Sequence, residues 1–221
     1  MKSNFLNSRF FTIWSNISDG IFVNAVFVFT CIPLFTYGAA KTALYETAVK
    51  WENEGDAGVK DYWKSFKANF KSAIIPGIIM LAAGFIVFLD YQIIRAMPDL
   101  MIVAAIIMVL YYMYKEQLFL LNARILYPTR QLFQNAVRMM FSHPLMSFVG
   151  AAFCFVPVIL LAVSPVWFLR LTPLWIMGWF SLGAWLTVKI GNKEYLKLFE
   201  AMGVSKGEEN EDNGTDQNKA E

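Results

Sequence analysis

Lysines and aromatic residues recur at helical spacing in the stretch VKDYWKSFKANFK, which begins at Val59. One stripe holds Lys60, Lys64, Lys67 and Lys71, and the stripe beside it includes Trp63 and Phe66. With about 100° of rotation per residue, each set falls on one face of a helix. Ammonium groups next to large rings suit a membrane surface, where rings reach the headgroup level and lysines meet anionic phosphates. The pattern predicts that these side chains contact either anionic lipid headgroups or a partner protein.

A second basic amphipathic helix is predicted after Pro128, which breaks the preceding helix. Its apolar face holds Leu132, Phe133, Ala136, Val137 and Met140. Arg130 and Arg138 lie on the opposite face and are further candidates for lipid or partner contact. Just before this helix, Arg124 is flanked by apolar residues. It either snorkels to a lipid phosphate, or it forms a salt bridge or holds an anionic ligand.

Residue types that usually carry catalysis are sparse in this chain. His143 is the one histidine, and no phosphate-binding glycine loop, HExxH sequence or serine elbow occurs. Cys31 and Cys154 lie in separate apolar stretches and are interpreted as two inert thiols. We therefore expect no enzymatic activity, no cofactor and no metal site.

Two polar residues are expected inside membrane spans. Asn24 is interpreted as an interhelical hydrogen-bonding residue, because that role explains it more simply than ligand binding. Asp90 lies near the end of a span, where Arg95 can pair with it. Both are structural candidates.

The elements that position these residues are apolar helices. The chain has 221 residues, of which 57% are hydrophobic and 16% charged, whereas soluble domains carry about a quarter charged residues. A membrane core of about 30 Å needs roughly 20 apolar residues as a helix. Candidate spans are residues 20–35, 73–94, 100–113, 145–162 and 174–188. These runs predict an all-α, polytopic membrane bundle of about five transmembrane helices with amphipathic cytoplasmic helical hairpins.

The predicted domain comprises residues 1–206, and Met1–Asp19 is expected to be an interfacial lead-in to the first span. In the first hairpin the arm Ala40–Glu52 has its apolar residues on one face, and Gly55 is expected to end it. Residues 207–221 form an acidic tail without aromatic or branched aliphatic residues. Such a segment cannot bury a core, so it is expected to be disordered.

The positive charges indicate an orientation. With five spans, 15 of the 19 lysines and arginines lie on one side, and Lys2, Arg9, Arg95 and Arg170 lie on the other. Because lysine and arginine in short loops favour the cytoplasm, we expect the N-terminus outside and the C-terminus in the cytoplasm. The location predicted is the bacterial cytoplasmic membrane.

The chain resembles the YesL-like family of bacterial integral membrane proteins, whose function is unknown. The resemblance is carried by Asn24, by PLFTYGAAKTALY from Pro33, by KDYWKSFKANFK from Lys60 and by Arg124. Lys41 departs from the expected pattern, which favours a small or uncharged residue there. The resemblance implies an accessory protein associated with carbohydrate uptake, and it implies no catalytic residue.

The function favoured by the sequence is a non-catalytic accessory or regulatory partner of a transport system, with a membrane permease subunit as the partner. Its amphipathic cytoplasmic segments and the lack of a charged cluster within the spans favour this interpretation. A small transporter or channel is the alternative, and it requires a polar path at mid-membrane. We expect no nucleic-acid partner.

Overall fold

The computed structural model describes residues 18–94, 97–125 and 127–201, and in these residues the chain is helical without strands. The helices are α1 (Ser18–Thr30), α2 (Tyr37–Glu54), α3 (Val59–Ala68), α4 (Phe70–Ile94), α5 (Met101–Asn122), α6 (Thr129–Ser142), α7 (Pro144–Val163), α8 (Pro165–Arg170), α9 (Thr172–Leu174) and α10 (Phe180–Ala201). Leu34–Thr36 and Pro98–Leu100 are 3₁₀ turns, and Trp175–Trp179 is a π-helical turn. The predicted all-α bundle is confirmed.

The chain divides into two compact units, Met1–Lys189 and Ile190–Glu221. In the second unit the structure describes residues 190–201, which are helical. The acidic tail lies outside the described residues, as do Arg95 and all but the last two residues of the predicted lead-in.

Four helical stretches in the described residues are long and apolar enough to cross a membrane. They are Phe70–Ile94, Met101–Asn122, Pro144–Leu161 and Thr172–Asn192. Large apolar side chains on them are exposed, as expected of surfaces that face lipid; Phe85 is 61% and Ile102 is 73% exposed. The protein is therefore a multi-pass membrane protein.

The first predicted span, residues 20–35, is not one crossing helix. Helix α1 has 13 residues, a length of about 20 Å at 1.5 Å per residue, which is shorter than the membrane core. The chain turns after Thr30, whose carbonyl oxygen accepts a hydrogen bond from Thr36 Oγ1 at 2.6 Å. At the other end of α1, a Cβ at Gly20 would lie 3.7 Å from the Trp51 ring. Helices α1 and α2 therefore form an antiparallel hairpin.

Helix α2 contains the predicted arm Ala40–Glu52, which was expected to be amphipathic with one apolar face, and the burial of its other face contradicts this expectation. Its residues from Gly38 to Ala48 are buried except Glu46, which is half-buried, and α2 packs against α4 and α5. A Cβ at Gly38 would lie 2.7 Å from Cα of Gly77, so the two backbones meet where neither residue has a side chain. Small residues allow this kind of close packing between membrane helices. The predicted end at Gly55 is confirmed, because Gly55 has φ of +75° there.

Helix α3 packs its aromatic face on the hairpin. Tyr62 is fully buried, and its hydroxyl lies 2.6 Å from Thr30 Oγ1 and 3.5 Å from the carbonyl oxygen of Ala40. Asp61 accepts from the Gly58 N–H and from Lys50 Nζ, both at 3.1 Å. Although burial opposes the charged form, these two donors hold the pKa of Asp61 below its usual value. The start of α3 is thereby fixed.

The span that begins at Thr172 is broken at Gly178, which has φ of +144°. Asn24 of α1 satisfies the backbone groups at this break. Its side-chain N–H groups donate to the carbonyl oxygens of Trp175 and the next residue, at 2.7 and 2.8 Å. Its oxygen accepts from the N–H groups of Phe180 and the next residue, at 3.0 Å each. Because membrane lipid offers no such partners, the hairpin supplies them from within the protein.

Candidate functional site

A cluster of charged side chains lies in the interior of the bundle, centred on Glu116 of α5, which is wholly buried. Lys41 Nζ of α2 lies 3.0 Å from Glu116 Oε2. Cys154 Sγ of α7 donates to Glu116 Oε1 at 3.0 Å, and the hydroxyl of Tyr45 donates to Oε2. Three helices therefore meet at one carboxylate. We call Lys41, Tyr45, Lys115, Glu116 and Cys154 the Glu116 cluster.

The cluster contradicts one prediction made from the sequence, because no charged cluster was expected within the spans. The third span was predicted over residues 100–113, with the helix continuing beyond it until Pro128. Helix α5 does continue, to Asn122, and it thereby contains Lys115 and Glu116. Lys115 and Glu116 can be buried there because each meets an opposite charge, a hydroxyl or an aromatic ring in the interior.

Lys41 is held by several neighbours and is only 3% exposed. It lies 3.4 Å from Cys154 Sγ and 5.0 Å from the centroid of the Tyr45 ring. Burial disfavours its charged form, but Cys154 and the Glu116 carboxylate together outweigh this effect and raise the pKa of Lys41 above its usual value. Lys41 is therefore a cation, and the pair with Glu116 ties the hairpin to α5.

Lys115 is surrounded by tyrosine rings. Its Nζ lies 4.3 Å from the ring centroid of Tyr112, 5.6 Å from that of Tyr37 and 5.9 Å from that of Tyr111. Ring faces attract an ammonium group. The Glu116 carboxylate is 3.9 Å away, which is ion-pair distance but longer than a hydrogen bond. Lys115 is stabilised as a cation with few direct acceptors.

A cavity of about 280 Å³ adjoins the cluster, and Lys41, Lys115 and Cys154 lie on its wall. Most other lining side chains are apolar or aromatic and come from α1, α5, α7 and α10. Cys31 also lines it, and burial raises the pKa of this thiol to about 12. A thiol with that pKa is a weak nucleophile at neutral pH. The cavity is suited to binding and offers two cations to a ligand.

Metal coordination is not favoured at this place. In the described part of the chain no three histidine, cysteine, aspartate or glutamate side chains come together as a metal site would require. The chemistry available at the cluster is attraction of negative charge.

The basic residues predicted from the sequence form a separate surface. Lys60, Lys64 and Lys67 of α3 are exposed, as is Lys71, which lies at the start of α4 because the predicted single helix is interrupted at Asn69. Trp63 is 42% exposed. Trp63 stacks on Phe66 with ring centroids 5.4 Å apart, whereas Phe66 itself is buried. We call the four lysines and Trp63 the α3 basic face. The aromatic residues of α3 are thus divided between the protein interior and this face.

The remaining predicted residues are dispersed. Arg130 and Arg138 are exposed on α6, whose buried side consists of Leu132, Ala136, Met139 and Met140. Val137 was placed on the apolar face but is 42% exposed. Arg124 is half-buried just after α5, and Asp90 is exposed near the end of α4. These residues do not belong to the Glu116 cluster.

Sequence reasoning missed every member of the Glu116 cluster as a functional residue. Two signals were present. Lys41 stands in an otherwise small and apolar helix face, and Lys115 and Glu116 directly continue an apolar run. What the sequence could not supply was the pairing between α2, α5 and α7.

The family model described as "Protein of unknown function, DUF624" matches residues 21–91. The chain is therefore similar to that family over the α1–α2 hairpin, α3 and most of α4. The matched residues include Lys41 and the α3 basic face, and they end before Lys115 and Glu116. Neither curated proteins nor solved structures gave a match to the chain. The similarity thus covers less than half of the chain, and it connects the hairpin and the α3 basic face to a family whose function is unknown.

Proposed function

We propose that this protein is a non-catalytic, accessory or regulatory partner of a transport system in the bacterial cytoplasmic membrane. The resemblance to YesL-like proteins makes a carbohydrate permease the candidate partner. The α3 basic face docks on that partner or on anionic lipid beside it.

The exposure of the α3 basic face is the observation that supports this proposal. The other aromatic residues of α3 are used internally, because Tyr62 contacts Thr30 and Ala40. The lysines take no part in that packing and are exposed. A helix held by one face offers its other face as a rigid surface, which lowers the entropy cost of docking.

We also propose a cytoplasmic location for the α2–α3 loop and for α3 and α6, because most lysines and arginines lie there or in the C-terminal segment. The N-terminus was predicted outside. The hairpin supports the opposite side for the start of α1, since a Cβ at Gly58 would lie 3.8 Å from Asp19 Oδ1. Asp19 and the α2–α3 loop then face the cytoplasm together.

Docking is tested by changing the four lysines to glutamine, which removes the charge and keeps a similar helix propensity. Changing the same four to arginine is the matched control, because it keeps the charge. We expect the arginine variant to recover its partner from solubilised membranes and the glutamine variant to lose it, at equal expression. Full recovery by the glutamine variant would show that the charge of these lysines does not hold the partner, and docking of this face on a partner protein would be refuted.

A small transporter is the second candidate, and the Glu116 cluster favours it. Buried ionisable residues within spans often mark the path of a substrate. Proteoliposomes that contain this protein alone test it. Saturable uptake of radiolabelled hexanoate that is lost in Lys115→Gln would support transport, and absence of uptake for hexanoate and gluconate alike would count against it.

A further inference from the structure

We propose that the cavity beside the Glu116 cluster binds a monoanionic group carried on an apolar body, with Lys115 as the main contact and Lys41 as the second. This inference depends on neither proposed function, because a bound anion can be a substrate, a regulator or a structural lipid.

The charge of the cluster is the first argument. Lys41 and Lys115 are cations, and Glu116 is the one carboxylate within 4 Å of either ammonium in the described part of the chain. The cluster therefore carries one excess positive charge in a buried setting. An uncompensated charge in an apolar interior is costly. A bound group with one negative charge neutralises this excess, whereas a dianion would give the cluster a net negative charge.

The second argument is that Lys41 and Lys115 differ in how many of their N–H donors already have an acceptor. Lys41 lies within hydrogen-bond distance of Glu116 and contacts Cys154, so its donors are largely used. An ammonium has three N–H donors. For Lys115 the Glu116 carboxylate is too distant for a hydrogen bond, and the tyrosine rings attract charge without accepting strongly. Lys115 therefore has donors to offer a ligand in the cavity.

Size and lining define the rest of the ligand. A cavity of about 280 Å³ is close to the lower end of the usual range for ligand sites. Its walls include Phe27, Val28, Pro157, Val158 and Phe180. These side chains suit an alkyl or aromatic body and give few partners to the hydroxyl groups of a sugar.

The monoanion can come from two sources that share this chemistry. One is a free monocarboxylate, and the other is a phospholipid whose phosphodiester enters the cavity between the helices. Hexanoate is the probe for the first source, and hexanamide is its uncharged counterpart. Nanodiscs of phosphatidylglycerol, compared with phosphatidylcholine, test the second.

Three variants of the 221-residue chain make the test specific. Lys115→Gln removes the main contact and keeps the Lys41–Glu116 pair, so we expect it to retain the fold. Val158→Phe fills the cavity without changing charge. Arg170→Gln removes an exposed arginine at the end of α8, outside both the cavity lining and the α3 basic face, and is the control. Titration calorimetry of the detergent-solubilised protein measures hexanoate binding, and native mass spectrometry measures lipid retained from nanodiscs.

We expect the unchanged protein and Arg170→Gln to bind hexanoate over hexanamide, or to retain phosphatidylglycerol over phosphatidylcholine. The first result identifies a free carboxylate and the second a lipid. Lys115→Gln and Val158→Phe should each weaken that binding at least about tenfold, which corresponds to about 1.4 kcal/mol. The proposal would be overturned if the protein preferred neither hexanoate over hexanamide nor phosphatidylglycerol over phosphatidylcholine, or if both variants bound the preferred anion undiminished.

Discussion

Lys41 Nζ and Glu116 Oε2 lie 3.0 Å apart in the interior of the bundle, one on a hairpin helix and the other on a membrane span. Water cannot take the place of either partner, because both side chains are buried. Their pairing therefore couples the position of the hairpin to that of α5. It also gives the first prediction.

We expect Glu116→Leu to lower the free energy of unfolding by about 3–5 kcal/mol, because it leaves two buried lysines without a carboxylate. Lys41→Met should lower it by less, since Lys115 remains beside Glu116. The double variant should lose less unfolding free energy than the two single variants lose together. Denaturant unfolding in mixed micelles measures all three.

The control for this comparison of single and double variants is Lys50→Met. Lys50 pairs with Asp61 at 3.1 Å, but both side chains are partly exposed. Such pairs contribute about 1 kcal/mol or less. Strict additivity of the Lys41 and Glu116 changes would show that the two residues do not act as a pair.

Asn24→Leu should destabilise the protein through the broken span. The substitution removes the partner of four backbone groups around Gly178, and each unsatisfied buried group costs about 1–3 kcal/mol. Thr47→Val is a suitable comparison, because its hydroxyl donates to the carbonyl oxygen of Ala43 within its own helix. Thermal unfolding in detergent should show a much larger loss for Asn24→Leu, and equal losses would contradict the role of Asn24 at the break.

The spans that were predicted well are those whose surroundings are uniformly apolar. The stretches 73–94 and 145–162 correspond closely to α4 and α7, because a long apolar run facing lipid needs no information about its neighbours. The two faces of α3 were also predictable, since periodicity is a local property.

The predictions failed where distant segments supply the partners. Hydropathy treats Lys115 and Glu116 as water-exposed, and only the arrival of α2 and α7 makes their burial favourable. The first span was predicted as one helix because apolar residues continue through the turn between α1 and α2. Bonds from Thr36 and Tyr62 to Thr30 close that turn, and they are not visible in a hydrophobic pattern.

Gly38→Ala should weaken the packing of α2 on α4. The added Cβ would lie 2.7 Å from Cα of Gly77, so the two backbones must separate. Gly20→Ala is the matched control, because its Cβ would meet nothing closer than 3.7 Å. Overpacking of this kind costs about 1–3 kcal/mol. If thermal unfolding of Gly38→Ala matches that of the control, the close contact between the helices does not exist in the membrane protein.

Asp61→Asn should reduce stability in a pH-dependent way. Because the pKa of Asp61 is lower in the folded protein, its contribution is present above the unfolded pKa and is lost as pH falls through the folded pKa. The carboxylate is more than a third exposed, so the difference at neutral pH should not exceed about 1 kcal/mol. Unfolding at neutral and strongly acidic pH measures it, with Asp56→Asn in the same loop as control. A difference that persists in acid would exclude the Gly58 and Lys50 contacts as its origin.

Cysteine labelling should reveal which ends of the helices share a side of the membrane. In a variant with Cys31 and Cys154 replaced by serine, single cysteines are introduced as Ser18→Cys, Asp56→Cys and Asp99→Cys. Asp99 lies in the turn between α4 and α5, across the span from the α2–α3 loop. An impermeant thiol reagent should label only Asp99→Cys in intact cells, and it should label the other two in inverted vesicles. Labelling of Asp56→Cys in intact cells would reverse the proposed orientation. If Ser18→Cys instead reacts together with Asp99→Cys, then α1 crosses the membrane and the antiparallel hairpin is wrong.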